Sequence, residues 1–146
     1  YDDPVFLKIW TDGPLQAGVG RAGEWEALRE LMPEFQGKRV LDLGCGYGWH
    51  CAYAAEHRAA SVLGIDLSER MLEVARRKLG EGAELVQGEA GSLPFREEQF
   101  DVVLCTGSFH HYPDPERAAF QAWRVLAPGG TFIIGDAWQP APPARS

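Results

Sequence analysis

The run Val40-Leu41-Asp42-Leu43-Gly44-Cys45-Gly46-Tyr47-Gly48 constrains the fold more than any other part of the chain. It describes a buried strand that ends in an acid and turns at once through closely spaced glycines. A second apolar run, Ser61-Val62-Leu63-Gly64-Ile65, ends at Asp66. Together they outline a nucleotide-type site. Glycines admit a ligand where a Cβ would collide, and the helix that follows presents unpaired N–H groups. An acid at the end of the second parallel strand is placed to accept both ribose hydroxyls.

The dinucleotide fingerprint G-x-G-x-x-G would put its last glycine at position 49, where this chain has Trp49. The chain has G-x-G-x-G, preceded by Asp42. A carboxylate there would repel a diphosphate and welcome a ligand that carries an amine or a cation.

Further elements follow from periodicity and stop signals. Trp25, Leu28 and Leu31 predict a helix over 24–32, ended by Pro33. Strands are predicted at 39–43, 61–65, 83–87, 100–105 and 131–135. Helices are predicted over 47–57, from Ser68 as N-cap to Gly80, and from Asp114-Pro115 to the Pro128-Gly129-Gly130 break. Residues 88–99 are too rich in Gly, Pro and charge for a full helix. Residues 1–22 read as a lid or irregular arm, with Tyr1 and Trp10 candidates to close over the site. Trp25, Trp49 and Trp123 read as packing residues. Strands alternating with helices predict a parallel, doubly wound α/β sheet of order 3-2-1-4-5, with the ligand crevice between its first and fourth strands.

The first motif, with Asp66, resembles class I S-adenosylmethionine-dependent methyltransferases. The resemblance covers about 38–136 and includes Gly88-Glu89-Ala90 through Leu93-Pro94-Phe95, Phe100-Asp101-Val102-Val103, His110-His111, and Arg124-Val125-Leu126-Ala127-Pro128-Gly129-Gly130. In pattern it is nearest to small-molecule enzymes of the quinone-biosynthesis type. It implies a Rossmann-like fold, S-adenosylmethionine as cofactor and a small-molecule methyl acceptor. The chain divides into an N-terminal arm and helix at 1–37, a candidate lid, a cofactor-binding core at 38–136 and a proline-rich tail at 137–146. Two departures stand out: Glu89 replaces the family's usual Asp, and the family's last two strands are lacking after the fifth. A fifth strand left at the edge calls for cover by a second copy of the chain, the favoured expectation, or by the N-terminal arm.

The resemblance implies the following roles. Asp42 would hold the methionine end of the cofactor, and Gly44, Cys45 and Gly46 would offer backbone. Asp66 would bind the ribose, with Leu67 and Met71 on the adenine faces and Glu89 and Ala90 at its edge. Thr106 would face the sulfonium from the fourth strand's end. His110 or His111 could take a proton from the acceptor, or could simply hold the loop. No metal set is indicated. Alternatives are a binding module without catalysis and a dinucleotide-dependent oxidoreductase.

Composition narrows the partners. A net charge of −7 with a pI near 5.0, and no basic cluster beside aromatics, argues against nucleic acid. No apolar run approaches the roughly 20 residues of a membrane span. The three cysteines, Cys45, Cys51 and Cys105, are an odd number without metal spacing, which suits a reducing cytoplasm.

Overall fold

Alternation along the central strands builds two apolar layers on one sheet. In β2 (Arg39–Leu43), Val40 faces one layer while Leu41 and Leu43 face the other. In β5 (Phe100–Thr106), Val102 and Leu104 join the first layer, and Val103 and Cys105 the second. Successive side chains of a strand point to opposite faces, so a strand buried on both faces reads as a continuous apolar run.

The computed structural model describes residues 5–11, 34–106 and 112–137. In chain order the remaining elements are β1 (Val5–Thr11), α1 (Trp49–Glu56), β3 (Ser61–Asp66), α2 (Glu69–Leu79), β4 (Glu84–Gln87), α3 (Pro115–Val125) and β6 (Leu126–Ala137). A short 3-10 turn, Gly80–Gly82, follows α2. The sheet order is β1-β6-β5-β2-β3-β4, and every pairing is parallel. Counted from β2, the five expected strands stand in the order 3-2-1-4-5.

Local signals explain the boundaries. Ser68 caps α2 by accepting from the Met71 N–H at 3.2 Å, and Gly80 takes a φ of 54° just past its end. Asp114 caps α3 by accepting from the Arg117 N–H at 3.1 Å, with Pro115 in its first turn. Ala118, Ala122 and Val125 bury one face of that helix. Trp123 was expected to pack inside it but stands 49% exposed, as Trp49 does at 48%. The small Ala118 and Ala122 carry the buried stripe, which leaves Trp123 on the outer face.

Two differences concern the sheet edge. β6 begins at Leu126, ahead of the expected 131–135. Its register slips between Phe100↔Leu126 and Val102↔Thr131, so 127–130 bulge out around Gly129 at φ 78°. Beyond β6 lies β1, paired from Val5↔Thr131 to Thr11↔Ala137. Val5–Thr11 is therefore a strand rather than part of an irregular arm, with Trp10 in register with Asp136. The arm, not a second copy of the chain, covers the β6 edge. Tyr1 and the helix expected over 24–32 lie outside the described residues.

Gly130 is tightly enclosed. A Cβ there would lie 2.8 Å from the Ala127 carbonyl oxygen and 3.0 Å from that of Asp101. Backbone oxygens cannot swing aside as a side-chain tip can. Gly130→Ala is expected to cost about 1–3 kcal/mol of stability, an overpacking penalty, read as a lower urea midpoint. An unchanged midpoint would mean that the bulge at 127–130 relaxes freely.

Candidate functional site

The C-terminal ends of β2, β3 and β5 carry the site. After Leu43 the chain passes through Gly44 at φ 66°, Gly46 at φ 53° and Gly48 at φ 84°, all in the left-handed region that side chains disfavour. The Gly44 and Cys45 N–H groups both donate to the Ile65 carbonyl, at 2.8 and 3.0 Å. Gly48 serves helix packing as well: a Cβ on it would stand 2.7 Å from Leu79 Cδ1 and 3.2 Å from Ala75 Cβ.

Asp66 organises the turn. Its Oδ2 accepts from the Gly46 N–H at 2.9 Å and its Oδ1 from the Ser68 N–H at 2.8 Å. Each carboxylate oxygen offers about two acceptor positions, so one on each remains for a diol. The Gly88 N–H donates to the Asp66 carbonyl at 3.0 Å, which brings Glu89 and Ala90 to the same end of the sheet. Ala90 is buried, whereas the Glu89 side chain is exposed and makes no hydrogen bond among the described residues. Leu67 is 63% exposed, and Gln87 Nε2 donates to its carbonyl at 3.0 Å. Met71 is half-buried, with its Sδ 3.9 Å from where a Gly46 Cβ would be.

Asp42 is the one buried charged or polar side chain among the described residues, at 1% exposure. Its Oδ2 accepts from the Cys51 thiol at 3.6 Å, and its Oδ1 has no partner. Burial pushes its pKa up to about 7, with the Cys51 contact opposing and the Asp66 charge adding to the rise. The Cys45 thiol, burial and Asp42 together push the Cys51 thiol far up, so it stays protonated and donates. A buried carboxyl with an orphan oxygen is costly. A ligand cation or ammonium beside it would remove that cost, and a diphosphate would raise it.

The structure therefore brings together Asp42, Gly44, Cys45, Gly46, Asp66, Leu67, Met71, Glu89 and Ala90. Cys45 is buried, and its Sγ lies 2.8 Å from where a Cβ on Gly64 would be, so only its backbone is available to a ligand. Thr106 ends β5, one residue past the Leu43↔Cys105 pair and so beside the glycine turn. His110 and His111 lie outside the described residues. Among the described residues no cluster of three or more His, Cys, Asp or Glu side chains is arranged to hold a metal ion.

Sequence reasoning missed Cys51, the donor to Asp42; its place in the first turn of α1 becomes visible only once the glycine turn is built. It also missed His50, whose burial lowers its pKa to about 4 and keeps it neutral near pH 7.

Comparison with known proteins adds to this geometry. A family model described as a methyltransferase domain matches residues 41–134. A fatty-acid O-methyltransferase of Mycolicibacterium smegmatis is 42% identical over 147 residues, covering 93% of this chain and 54% of that protein. A phthiotriol/phenolphthiotriol dimycocerosates methyltransferase of Mycobacterium ulcerans is 38% identical over 105 residues, covering 70% of this chain and 39% of that protein. The crystal structure of an S-adenosylmethionine-dependent methyltransferase from Mesorhizobium loti superposes with a TM-score of 0.74 at 39% identity, covering 80% of this chain and 54% of that one. The chain spans about half the length of the two curated relatives that match 93% of it, at 54% and 51%.

Proposed function

The chain belongs to the class I S-adenosylmethionine-dependent methyltransferases, and we propose that it transfers a methyl group from that cofactor to an apolar small molecule. The observation that carries the cofactor half is the pairing of two acids: Asp42, buried with an orphan oxygen, and Asp66, with one acceptor position open on each oxygen. The pair suits a ligand with an ammonium at one end and a ribose diol at the other.

In this reading Asp66 holds the ribose hydroxyls and Asp42 the amino-acid end, directly or through water. Gly44, Cys45 and Gly46 offer backbone against the ligand. Leu67 and Met71 cover the adenine faces, and Glu89 and the Ala90 N–H meet its edge. Thr106 faces the sulfonium, and the loop with His110 and His111 faces the acceptor. When bound, the cofactor supplies a methyl group already activated by its sulfonium. The protein's part is then mostly alignment and exclusion of water. A base is needed only when the acceptor holds its proton, and His110 or His111 would then take it.

The acceptor class rests on the relatives, two of which carry lipid substrates in their names. A fatty acid is the first candidate. Its carboxylate is already ionised at neutral pH, so the loop histidines would position it rather than deprotonate it. The net charge of −7 gives no support to a nucleic-acid acceptor. All three cysteines are free and buried, which suits the reducing cytoplasm we propose as its setting. No helix among the described residues is long and apolar enough to cross a membrane.

The test is a pair of thermal titrations followed by turnover. S-adenosylhomocysteine is expected to raise the melting temperature and NAD to leave it unchanged. Comparable stabilisation by NAD would return the site to the oxidoreductase reading. Methylation of a long-chain fatty acid then separates an enzyme from a binding module, and cofactor binding without turnover on any lipid acid or alcohol would favour the module.

A further inference from the structure

Between Gln87 and Phe100 the described chain contains no helix or strand, so its backbone groups need partners from elsewhere. One stripe of α3 supplies several of them. Arg117, Gln121 and Arg124 stand at i, i+4 and i+7, on one side of the helix. Arg117 Nε donates to the Gly91 carbonyl at 2.6 Å. Arg124 donates to the Leu93 carbonyl from Nη2 at 3.0 Å and to the Phe95 carbonyl from Nη1 at 2.8 Å. Every second carbonyl, at 91, 93 and 95, is thus taken by a guanidinium.

Gln121 completes the set. Its Oε1 accepts from the Leu93 N–H at 3.2 Å and is braced by Arg124 Nη2 at 2.9 Å. The Glu98 N–H donates back to the Arg124 carbonyl at 3.1 Å. Leu93 is 6% exposed, so both its backbone groups depend on these side chains rather than on water. At its other end the same segment is tied to Asp66 through the Gly88 N–H. The residues proposed to meet the adenine edge, Glu89 and Ala90, are held between those two anchors.

We propose that Arg124, with Gln121 and Arg117, sets the affinity for the adenine end of the cofactor by fixing the distance between Asp66 and the 89–91 backbone. These are positioning residues, since they act through the segment's carbonyls. The proposal rests on the cofactor assignment above and deepens it.

The test compares two ligands on the intact protein: S-adenosylhomocysteine, and 5′-methylthioadenosine, which keeps the adenosine but lacks the amino-acid end. Arg124→Ala is expected to weaken both by the same factor, about tenfold. Asp42→Asn is expected to weaken only the first. Arg124→Lys replaces a two-pronged donor with a single ammonium and is expected to recover part of the affinity for both. Should Arg124→Ala fail to fold, Arg117→Ala carries the test from an exposed side chain, with a loss of about threefold for both ligands. Parent-like binding of both ligands by the folded variant overturns the proposal, and so does a loss confined to S-adenosylhomocysteine. Failure of the parent protein to bind either ligand overturns the cofactor assignment instead.

Discussion

Asp66→Ala is expected to lower the affinity for S-adenosylhomocysteine by about a hundredfold or more. The carboxylate has two jobs at once. It accepts from the Gly46 and Ser68 N–H groups, which pins the glycine turn against the end of β3, and its open acceptor positions are the proposed ribose contacts. Hydrogen bonds to a charged group contribute roughly 1.5–3 kcal/mol each, and a hundredfold corresponds to about 2.7 kcal/mol. Losing the diol contacts alone accounts for that, and a loosened turn adds to it. Asp66→Asn keeps one acceptor oxygen and should fall between parent and alanine. His110→Ala should leave this affinity within about twofold, because its proposed role is toward the acceptor. Calorimetric titration of all three variants reads the ranking. Parent-like binding by Asp66→Ala would place the ribose elsewhere.

The second large effect is a pH dependence written into Asp42. Its folded pKa is about 7, mainly through burial, against an ordinary value of 3.8. A folded pKa raised above the unfolded one means stability that is fully present below about pH 4 and is lost as pH rises through about 7. Over the window from pH 5 to pH 8 the loss is on the order of 3 kcal/mol. His50 works the other way, since its lowered pKa costs stability as pH falls from about 6.5 toward 4. Asp101, held low by its hydrogen bonds and ion pair with Arg39, loses its contribution only at still more acid pH.

Comparing Asp42→Asn with the parent cancels these other groups. The asparagine protein should gain on the parent by about that 3 kcal/mol between pH 5 and pH 8 in urea unfolding. Its affinity for S-adenosylhomocysteine should be lower and flat with pH. The parent's affinity should rise about tenfold between pH 6 and 7.5, as Asp42 ionises to meet the ammonium. Parallel pH profiles for the two proteins would show that Asp42 does not titrate in this range.

What could be read from residues alone has a physical pattern. The glycine turn, the acids at the ends of β2 and β3, and the Ser68 and Asp114 caps are local signals, each set within a few positions of the chain. The order of β2 to β6 followed because right-handed crossovers leave few arrangements. Features that depend on distant partners were not legible. Nothing near Val5–Thr11 announces its pairing with β6. Nothing near Asp42 names Cys51 as its donor. Nothing in Arg124 reveals that its guanidinium spans the carbonyls of Leu93 and Phe95. Trp123 was misplaced because ring size suggests burial, whereas Ala118 and Ala122 form the buried stripe of α3.

The pairing of β1 with β6 has a consequence for the order of assembly. Val5 meets Thr131 across a separation of 126 positions, against 22 for Arg39 and Ser61 within the central pair. Contacts of long separation form late, because the intervening loop must close before they stabilise anything. During synthesis β1 emerges before β6 and waits without a template until that strand exists. In that interval the outer rim of β6, with Phe132, Ile133 and Ile134, stands unguarded and open to pairing with a neighbouring nascent chain. The contact that closes late is thus the one that covers the outer edge of β6.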